Sequence, residues 1–428
     1  MTKRIVQQIR KRLMASVVRR NIAYTLGRQI LASVAQLLLV VLIARALGPE
    51  GNGFYAMAIL LPNLMVNFLN LGVGPATVYY LGRGDNTLHQ AVPENIRLGG
   101  IIVGIGIIGA LPIMFFFHPT LFPRVPPQVL FLGFAAFPPS LLLAYLNTIL
   151  QGMEDFRAFN WTTLVPPYLT LAVAWGALYV LGLGIEAAVT AFLIGQLAGL
   201  IAVLFFLYRK IHETQVKNLQ GHIRGYKRKV LSYGWKAHLS NMLAFVNYRA
   251  DIFLVNFFLT PAATGIYVIA VQFAERLWML SKAASTVLLP RLSAMHEDPA
   301  ARLALTKKGF IVVAAVTALV SIVAALALYW LIGPIFGAEY QEALPAFLWL
   351  LPGIIAGAGS RVQSNCIAAA GKPEWNMYVA LGVVTMNVVG NIILVPQYGI
   401  IGAAWATSLA YSGNAVVKMY LVQRTREI

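Results

Sequence analysis

Charge is scarce in this 428-residue chain: 11% of its residues are charged, and only 15 are acidic. A soluble domain carries about 25%. Apolar residues make up 59%, and the mean hydropathy is +0.72. Such a chain cannot solvate its surface in water and must use lipid as its solvent. Cysteine is almost absent. The single Cys366 excludes an intrachain disulfide and any multi-cysteine metal site. His89, His118, His212, His222, His238 and His296 are scattered without ligand spacing, so no metal is expected. Enzyme motifs are missing as well. No phosphate-binding loop with a following Lys-Ser/Thr occurs. Gly104-Ile105-Gly106-Ile107-Ile108-Gly109 spells a dinucleotide fingerprint, but it lies inside an apolar run with no preceding strand. There, and at the Gly100–Gly104 step, close helix packing is the expectation. Nothing calls for a cofactor or a catalytic residue.

What is present is apolar sequence in long runs. Twelve spans of about 20 residues or more can be drawn, at about 21–46, 54–81, 96–117, 127–150, 160–182, 186–208, 231–259, 265–289, 307–332, 343–370, 375–395 and 400–422. The fold class expected is an all-α integral membrane protein of about twelve transmembrane helices. Pro138-Pro139 interrupts the fourth span and Pro166-Pro167 the fifth, so both helices should kink. Residues 1–20 carry seven cations, with Ile5, Ile9, Leu13 and Val17 every fourth residue. That pattern suits a basic amphipathic cytoplasmic segment or a solvated positive-inside tail.

Basic residues fall on one side. That side holds the N-terminal tail, Arg83, Arg97, Arg157, the run from Arg209 through Lys229, Arg291, Arg302, Lys307, Lys308, Lys372, Arg424 and Arg426; the other holds only Arg124. The positive-inside rule then makes both termini cytoplasmic. The net charge of +18 is thus topological. The basic linker 209–230 lacks the interleaved aromatics of a nucleic-acid site, and no nucleic acid is expected as a partner. It divides the chain into an N-terminal lobe, 21–208, and a C-terminal lobe, 231–422, with a tail at 423–428.

One stretch recurs. Leu47-Gly48-Pro49-Glu50-Gly51-Asn52-Gly53-Phe54-Tyr55-Ala56-Met57-Ala58 and Leu259-Thr260-Pro261-Ala262-Ala263-Thr264-Gly265-Ile266-Tyr267-Val268-Ile269-Ala270 share the pattern L-x-P-x-x-x-G-x-Y-x-x-A. The copies lie about half a chain length apart, as internal duplication would put them. In a membrane protein this suggests a transporter with two related halves.

The informative residues are ions inside the spans: Arg28, Lys236, Arg249, Arg276, Lys282 and Arg361, with Asp251 and Glu275. A mid-bilayer charge costs roughly 2.5–3.5 kcal/mol on insertion scales. Two acids cannot neutralise six cations. The excess points to a wet cavity or an anionic ligand; the competing account is local pairing, Arg249 with Asp251 and Glu275 with Arg276 or Lys282. Polar residues repeat at helical spacing beside these ions. Gln36 joins Arg28 on the first span, and Asn63, Asn67 and Asn70 share a face of the second. Asn247 and Asp251 align with Lys236 on the seventh, and Gln272, Glu275 and Lys282 align on the eighth. Asparagines facing lipid would be costly, so these faces are expected to line a cavity or meet other helices.

The stretch Ile43-Ala44-Arg45-Ala46-Leu47-Gly48-Pro49-Glu50-Gly51-Asn52-Gly53-Phe54-Tyr55 and the following Leu71-Gly72-Val73-Gly74 resemble the start of a bacterial polysaccharide-biosynthesis flippase, in the multidrug/oligosaccharidyl-lipid/polysaccharide exporter superfamily. Gln151-Gly152, Ala370-Gly371-Lys372-Pro373 and Gly399-Ile400-Ile401-Gly402-Ala403-Ala404 extend the resemblance along nearly the whole chain. Glu186 departs from it, standing where the second half has Gly402. The resemblance implies two six-helix lobes around a central cavity in the bacterial cytoplasmic membrane. It implies alternating access that moves an undecaprenyl-pyrophosphate-linked oligosaccharide from the inner to the outer leaflet. It also implies cavity arginines on the pyrophosphate: Arg28 and Arg276 first, then Arg249 and Arg361, with Lys236 and Lys282 as further cations. Asp251 and Glu275 are ion-pair or coupling candidates. Expected partners are the lipid-linked oligosaccharide and membrane lipids, with a polysaccharide polymerase and chain-length proteins as candidates. A cation-coupled multidrug exporter would want an acid well inside a span of the first half, which is absent. A non-transporting scaffold of a polysaccharide assembly complex is the alternative of another class.

Overall fold

The structure of the chain, a computed structural model, describes residues 2–83, 87–213, 225–295 and 297–425, without the side chains of 2–26, 236, 237 and 240. The amphipathic face expected of residues 1–20, the middle of the 209–230 linker and the last three residues therefore lie outside the described residues. Twelve α-helices follow in order. They are α1 (Thr2–Leu69), α2 (Val73–Gly82), α3 (Leu88–Leu121), α4 (Pro127–Ala135), α5 (Phe137–Gly152), α6 (Phe156–Trp175), α7 (Ile185–Glu213), α8 (Tyr226–Phe258), α9 (Pro261–Ala294), α10 (Pro299–Phe336), α11 (Ala343–Ala369) and α12 (Pro373–Arg424). No strand occurs among the described residues. The all-α membrane class read from the apolar runs is the observed one.

Helices and spans correspond unevenly, for local reasons. α1 and α12 are each folded at one glycine with positive φ, Gly48 at 65° and Gly399 at 60°. Each therefore supplies two arms where two spans were drawn. Only glycine adopts that backbone at no steric cost. Among the described residues eight helical stretches, α4 and α5 counting as one, are long and apolar enough to cross a membrane. α8 and α9 fall outside that set, and they carry Arg249, Asp251, Glu275, Arg276 and Lys282. The fourth span does break at its prolines: α4 ends at Ala135, and Pro138-Pro139 occupy the first turn of α5, where a missing N–H costs nothing. The fifth does not. α6 runs through Pro166 and Pro167 and gives way to a π-helical turn only at Gly176–Val180.

Two compact units form. The first comprises Met1–Leu42, Leu61–Phe116 and Pro127–His238; the second comprises Ile43–Leu60, Phe117–Pro126 and Leu239–Ile428. In the first, one core gathers Leu88, Ala91 and Val92 of α3, Leu143, Leu146, Ile149 and Leu150 of α5, Ala158 of α6, and Val203 and Leu207 of α7. α6 and α7 approach closely because Gly195 and Gly199 face Pro166: a Cβ at Gly199 would come within 2.6 Å of its ring. These glycines are the small-xxx-small pair that close helix packing requires. The Gly100–Gly104 step expected to do so has nothing within 4 Å of either position, while Gly99 and Gly106 meet Leu142 and Phe137 instead. Of the glycines expected to pack on α3, Gly106 does and Gly100, Gly104 and Gly109 do not; the packed face carries Gly99 and Gly106, seven residues apart. In the second unit α11 packs against α9, α10 and α12, and Leu292, Cys366, Ile367 and Val422 are buried together. Outward faces are apolar: Ile108 is 75% and Phe116 72% exposed, as lipid-facing residues should be.

The repeated stretch is a joint inside the second unit. A Cβ on Gly53 would strike the carbonyl of Pro261, and one on Gly265 would strike the carbonyl of Pro49. Each copy thus lays its glycine on the proline of the other. Asn52, buried, donates from Nδ2 to the Gly265 carbonyl at 2.8 Å. α9 begins here, capped by Thr260, whose hydroxyl accepts from the Ala263 amide at 3.1 Å, with Pro261 following.

Candidate functional site

In the first unit α1 presents Arg28, half-buried, against α6. One guanidinium nitrogen donates to the Thr163 hydroxyl at 3.1 Å, and the guanidinium lies 5.1 Å from the centre of the Phe159 ring. Its Nε is buried with no partner, and no carboxylate pairs with it among the described residues. Phe159 and Thr163 are four apart, so one face of α6 receives the whole guanidinium. The other polar residues expected nearby are dispersed. Gln36 and Asn63 are exposed. Asn67 donates to the Asn63 carbonyl of its own helix at 2.8 Å, and the Asn70 carbonyl accepts from Tyr145. The side chain of Lys236 lies outside the described residues. A buried network unforeseen in the sequence ties Thr77 of α2 and Asn95 of α3 to the Tyr226 hydroxyl of α8, the Asn95–Tyr226 bond being 3.0 Å.

The second unit holds most of the intramembrane ions. Arg249 of α8 grips Glu275 of α9 through two nitrogens at 2.8 and 3.3 Å. Neither local pairing expected for these two acids is formed. Asp251 points elsewhere and is buried, accepting from the Ile252 amide at 2.8 Å, the Tyr267 hydroxyl at 2.8 Å and the Thr407 hydroxyl at 3.4 Å. Asn387 reaches the same Thr407 at 3.1 Å, and Asn391 reaches Asn387. Arg276 is left to its own helix: it donates to the Gln272 carbonyl at 2.6 Å and to that residue's side-chain oxygen at 3.4 Å. Lys282 is exposed. Asn247 keeps a buried, unpartnered side-chain oxygen, while its carbonyl takes the Tyr411 hydroxyl.

Arg361 of α11 donates to the Tyr248 hydroxyl at 3.3 Å and lies over Trp278, its guanidinium carbon 5.6 Å from the ring centre. Trp278 is flanked by Tyr248 and Tyr411, and such stacking holds a cation without neutralising it. Beyond it stands Lys418 of α12, which is not among the residues expected from the sequence. Four residues from the end of the last span, a lysine reads as a flanking positive-inside charge. Its signal is in the sequence nonetheless, as a lone cation in an otherwise apolar run. Arg276, Arg361 and Lys418 have no carboxylate in ion-pair contact among the described residues. Among the described residues the second unit thus keeps Arg276, Arg361 and Lys418, with the exposed Lys282, as intramembrane cations outside the Arg249–Glu275 pair. Among the described residues no cluster of His, Cys, Asp and Glu could hold a metal ion.

Comparison with known proteins bears on this geometry. A family model described as "Polysaccharide biosynthesis protein" matches residues 18–296. An uncharacterised membrane protein of Methanocaldococcus jannaschii is 20% identical over 402 residues, covering 89% of this chain and 92% of its own. Among solved structures, the lipid II flippase MurJ in an inward closed conformation superposes with a TM-score of 0.72 at 17% identity, covering 94% of this chain and 87% of MurJ. An inward-facing multidrug resistance MATE transporter of the MOP superfamily gives 0.70 at 16% identity, over 92% of this chain and 94% of that one. At these identities the likeness is one of fold.

Proposed function

Because this chain belongs to the polysaccharide biosynthesis protein family and has the fold of MOP-superfamily transporters, we propose that it is a flippase for a lipid-linked oligosaccharide, with Arg28 and Arg276 holding the pyrophosphate. The observation that carries this reading is the surplus of unpaired intramembrane cations. Arg28 leans on a hydroxyl and a ring, and Arg276 on its own helix, so each keeps donors for an anion. Unpaired guanidinium groups inside an apolar protein are costly. A phosphate ligand offsets that cost through paired, charge-assisted hydrogen bonds, which guanidinium makes better than ammonium. The substrate would be an undecaprenyl-pyrophosphate-linked repeat unit moved from the inner to the outer leaflet by alternating access. Both termini would be cytoplasmic, in a bacterial inner membrane.

Asp251 is the candidate for coupling. A buried carboxylate on three hydrogen bonds but no cation can exchange a proton or accept a small cation as a step in the cycle. Arg249 and Glu275 fit an internal ion pair better than a ligand contact. The test measures membrane abundance together with flipping of undecaprenyl-pyrophosphate-linked oligosaccharide in reconstituted vesicles. Arg276→Ala should abolish flipping at unchanged abundance, and Arg276→Lys should restore part of it. Normal flipping by the alanine variants of both Arg28 and Arg276 would refute the assignment.

A further inference from the structure

Lys418 is 8% exposed. Its ammonium makes one hydrogen bond among the described residues, to the Ser364 hydroxyl of α11 at 2.8 Å, leaving two of its three donors free. Ser364 stands one helical turn from another cation, Arg361. Arg361 stands three residues before Ser364, on the same face of α11, held by Tyr248 and Trp278 without neutralisation. One rung deeper, Asn414 of α12 donates to the Ser360 hydroxyl at 3.1 Å. Two rungs of side chains therefore fasten α12 to α11, and the outer one carries an unbalanced charge.

A buried ammonium beside a guanidinium, with no acid in contact, is an arrangement that an apolar protein tolerates only if something negative joins it. We propose that Lys418, Arg361 and Ser364 form an anion site for a phosphoryl or pyrophosphoryl group. This inference rests on the flippase reading for its ligand and deepens it by adding a second cationic station, distinct from Arg276. Lys418 lies six residues before the end of α12, about 9 Å along the helix axis, and Arg424 closes that helix. With the basic side cytoplasmic, as proposed above, that depth is within reach of a lipid head group in the inner leaflet, and a lipid pyrophosphate would meet this site on entry. Lys supplies a point charge, Arg a planar fork and Ser a hydroxyl, which together suit a group bearing at least two negative charges.

The experiment follows thermal unfolding of the full chain in nanodiscs, with inorganic pyrophosphate and with undecaprenyl pyrophosphate as separate probes. The variants are Lys418→Met, Lys418→Arg and Arg361→Gln. Without ligand, Lys418→Met should unfold at the wild-type temperature or above, because it removes an unpaired buried charge while keeping the volume. Its response to undecaprenyl pyrophosphate should require about tenfold more probe or more, and Lys418→Arg should recover most of it. A Lys418→Met protein that unfolds earlier yet responds to both probes as the wild type does would make Lys418 a structural peg and overturn the site. A wild type that responds to neither probe would overturn it as well. A wild type that responds to inorganic pyrophosphate only, through Lys418, would uphold the site while removing support for a lipid-linked substrate. A response to the lipid that is unchanged in Lys418→Met and Arg361→Gln would uphold the substrate and refute the site.

Discussion

Replacing Gly265 by alanine should loosen the joint between the two copies of the repeated loop. The new Cβ would collide with the Pro49 carbonyl oxygen and stand 2.9 Å from the Gly53 nitrogen and 3.0 Å from the Pro49 carbonyl carbon. Carbon contacts relax to about 3.5–4.0 Å. The atoms in the way are backbone and cannot rotate aside, so the two segments must part by about 1 Å. That displacement stretches the 2.8 Å bond from Asn52 to the Gly265 carbonyl. Overpacking of this kind costs about 1–3 kcal/mol, and the weakened hydrogen bond adds about 1 kcal/mol. Alanine's helix propensity returns about 1 kcal/mol, leaving a net loss of about 1–3 kcal/mol. Gly53→Ala meets the backbone of Pro261 and should behave alike. Once one alanine has parted the segments the second finds room, so the double variant should lose less than the sum of the singles. Gly104→Ala is the control: nothing lies within 4 Å, and it should be neutral or slightly stabilising. Reversible unfolding in lipid nanodiscs measures all four. Wild-type stability of Gly265→Ala, or strict additivity in the double variant, would show that the reciprocal contact does not hold the joint together.

Glu275→Gln should destabilise the protein by about 1–2 kcal/mol, less than the loss of a fully buried pair, because both side chains are partly exposed. In a double-mutant cycle with Arg249→Gln the two changes should couple, whereas Glu275→Gln with Arg276→Gln should be nearly additive. At the end of α5, Asp155 caps α6 and meets Lys210 at 2.7 Å. Burial alone would raise its carboxyl, but the hydrogen bond and charge of Lys210, with the Ala158 and Arg157 amides, outweigh burial and hold it below the ordinary range. With a folded pKa depressed, its stabilising contribution is present above the unfolded value, near 3.9, and is lost as pH falls through the folded one. The acid limb of the stability profile should therefore be shallower in Asp155→Asn, as pH-dependent unfolding curves would record.

Composition and apolar run lengths determined the membrane class and the helical fold, because lipid leaves a backbone few ways to satisfy its own hydrogen bonds. The repeated Leu-x-Pro loop was legible from its residues alone, and so was the surplus of intramembrane cations. Partnership was not legible. Helical periodicity states which residues share a face, but not which neighbour that face meets, and each residue turns the face by about 100°. So Gly100–Gly104 and Gly99–Gly106 read alike until α3 is packed, and only the second pair touches its neighbours. Arg249 could be matched on paper with Asp251 two residues away. Folding α8 against α9 instead brings it Glu275, from 26 residues along the chain, and leaves Asp251 to Tyr267 and Thr407. Lys418 makes the same point most sharply. Along the chain it ends a span next to solvent, where a lysine is unremarked; the packing of α11 on α12 buries it beside Arg361, and burial is what turns an ordinary flanking charge into an unbalanced one.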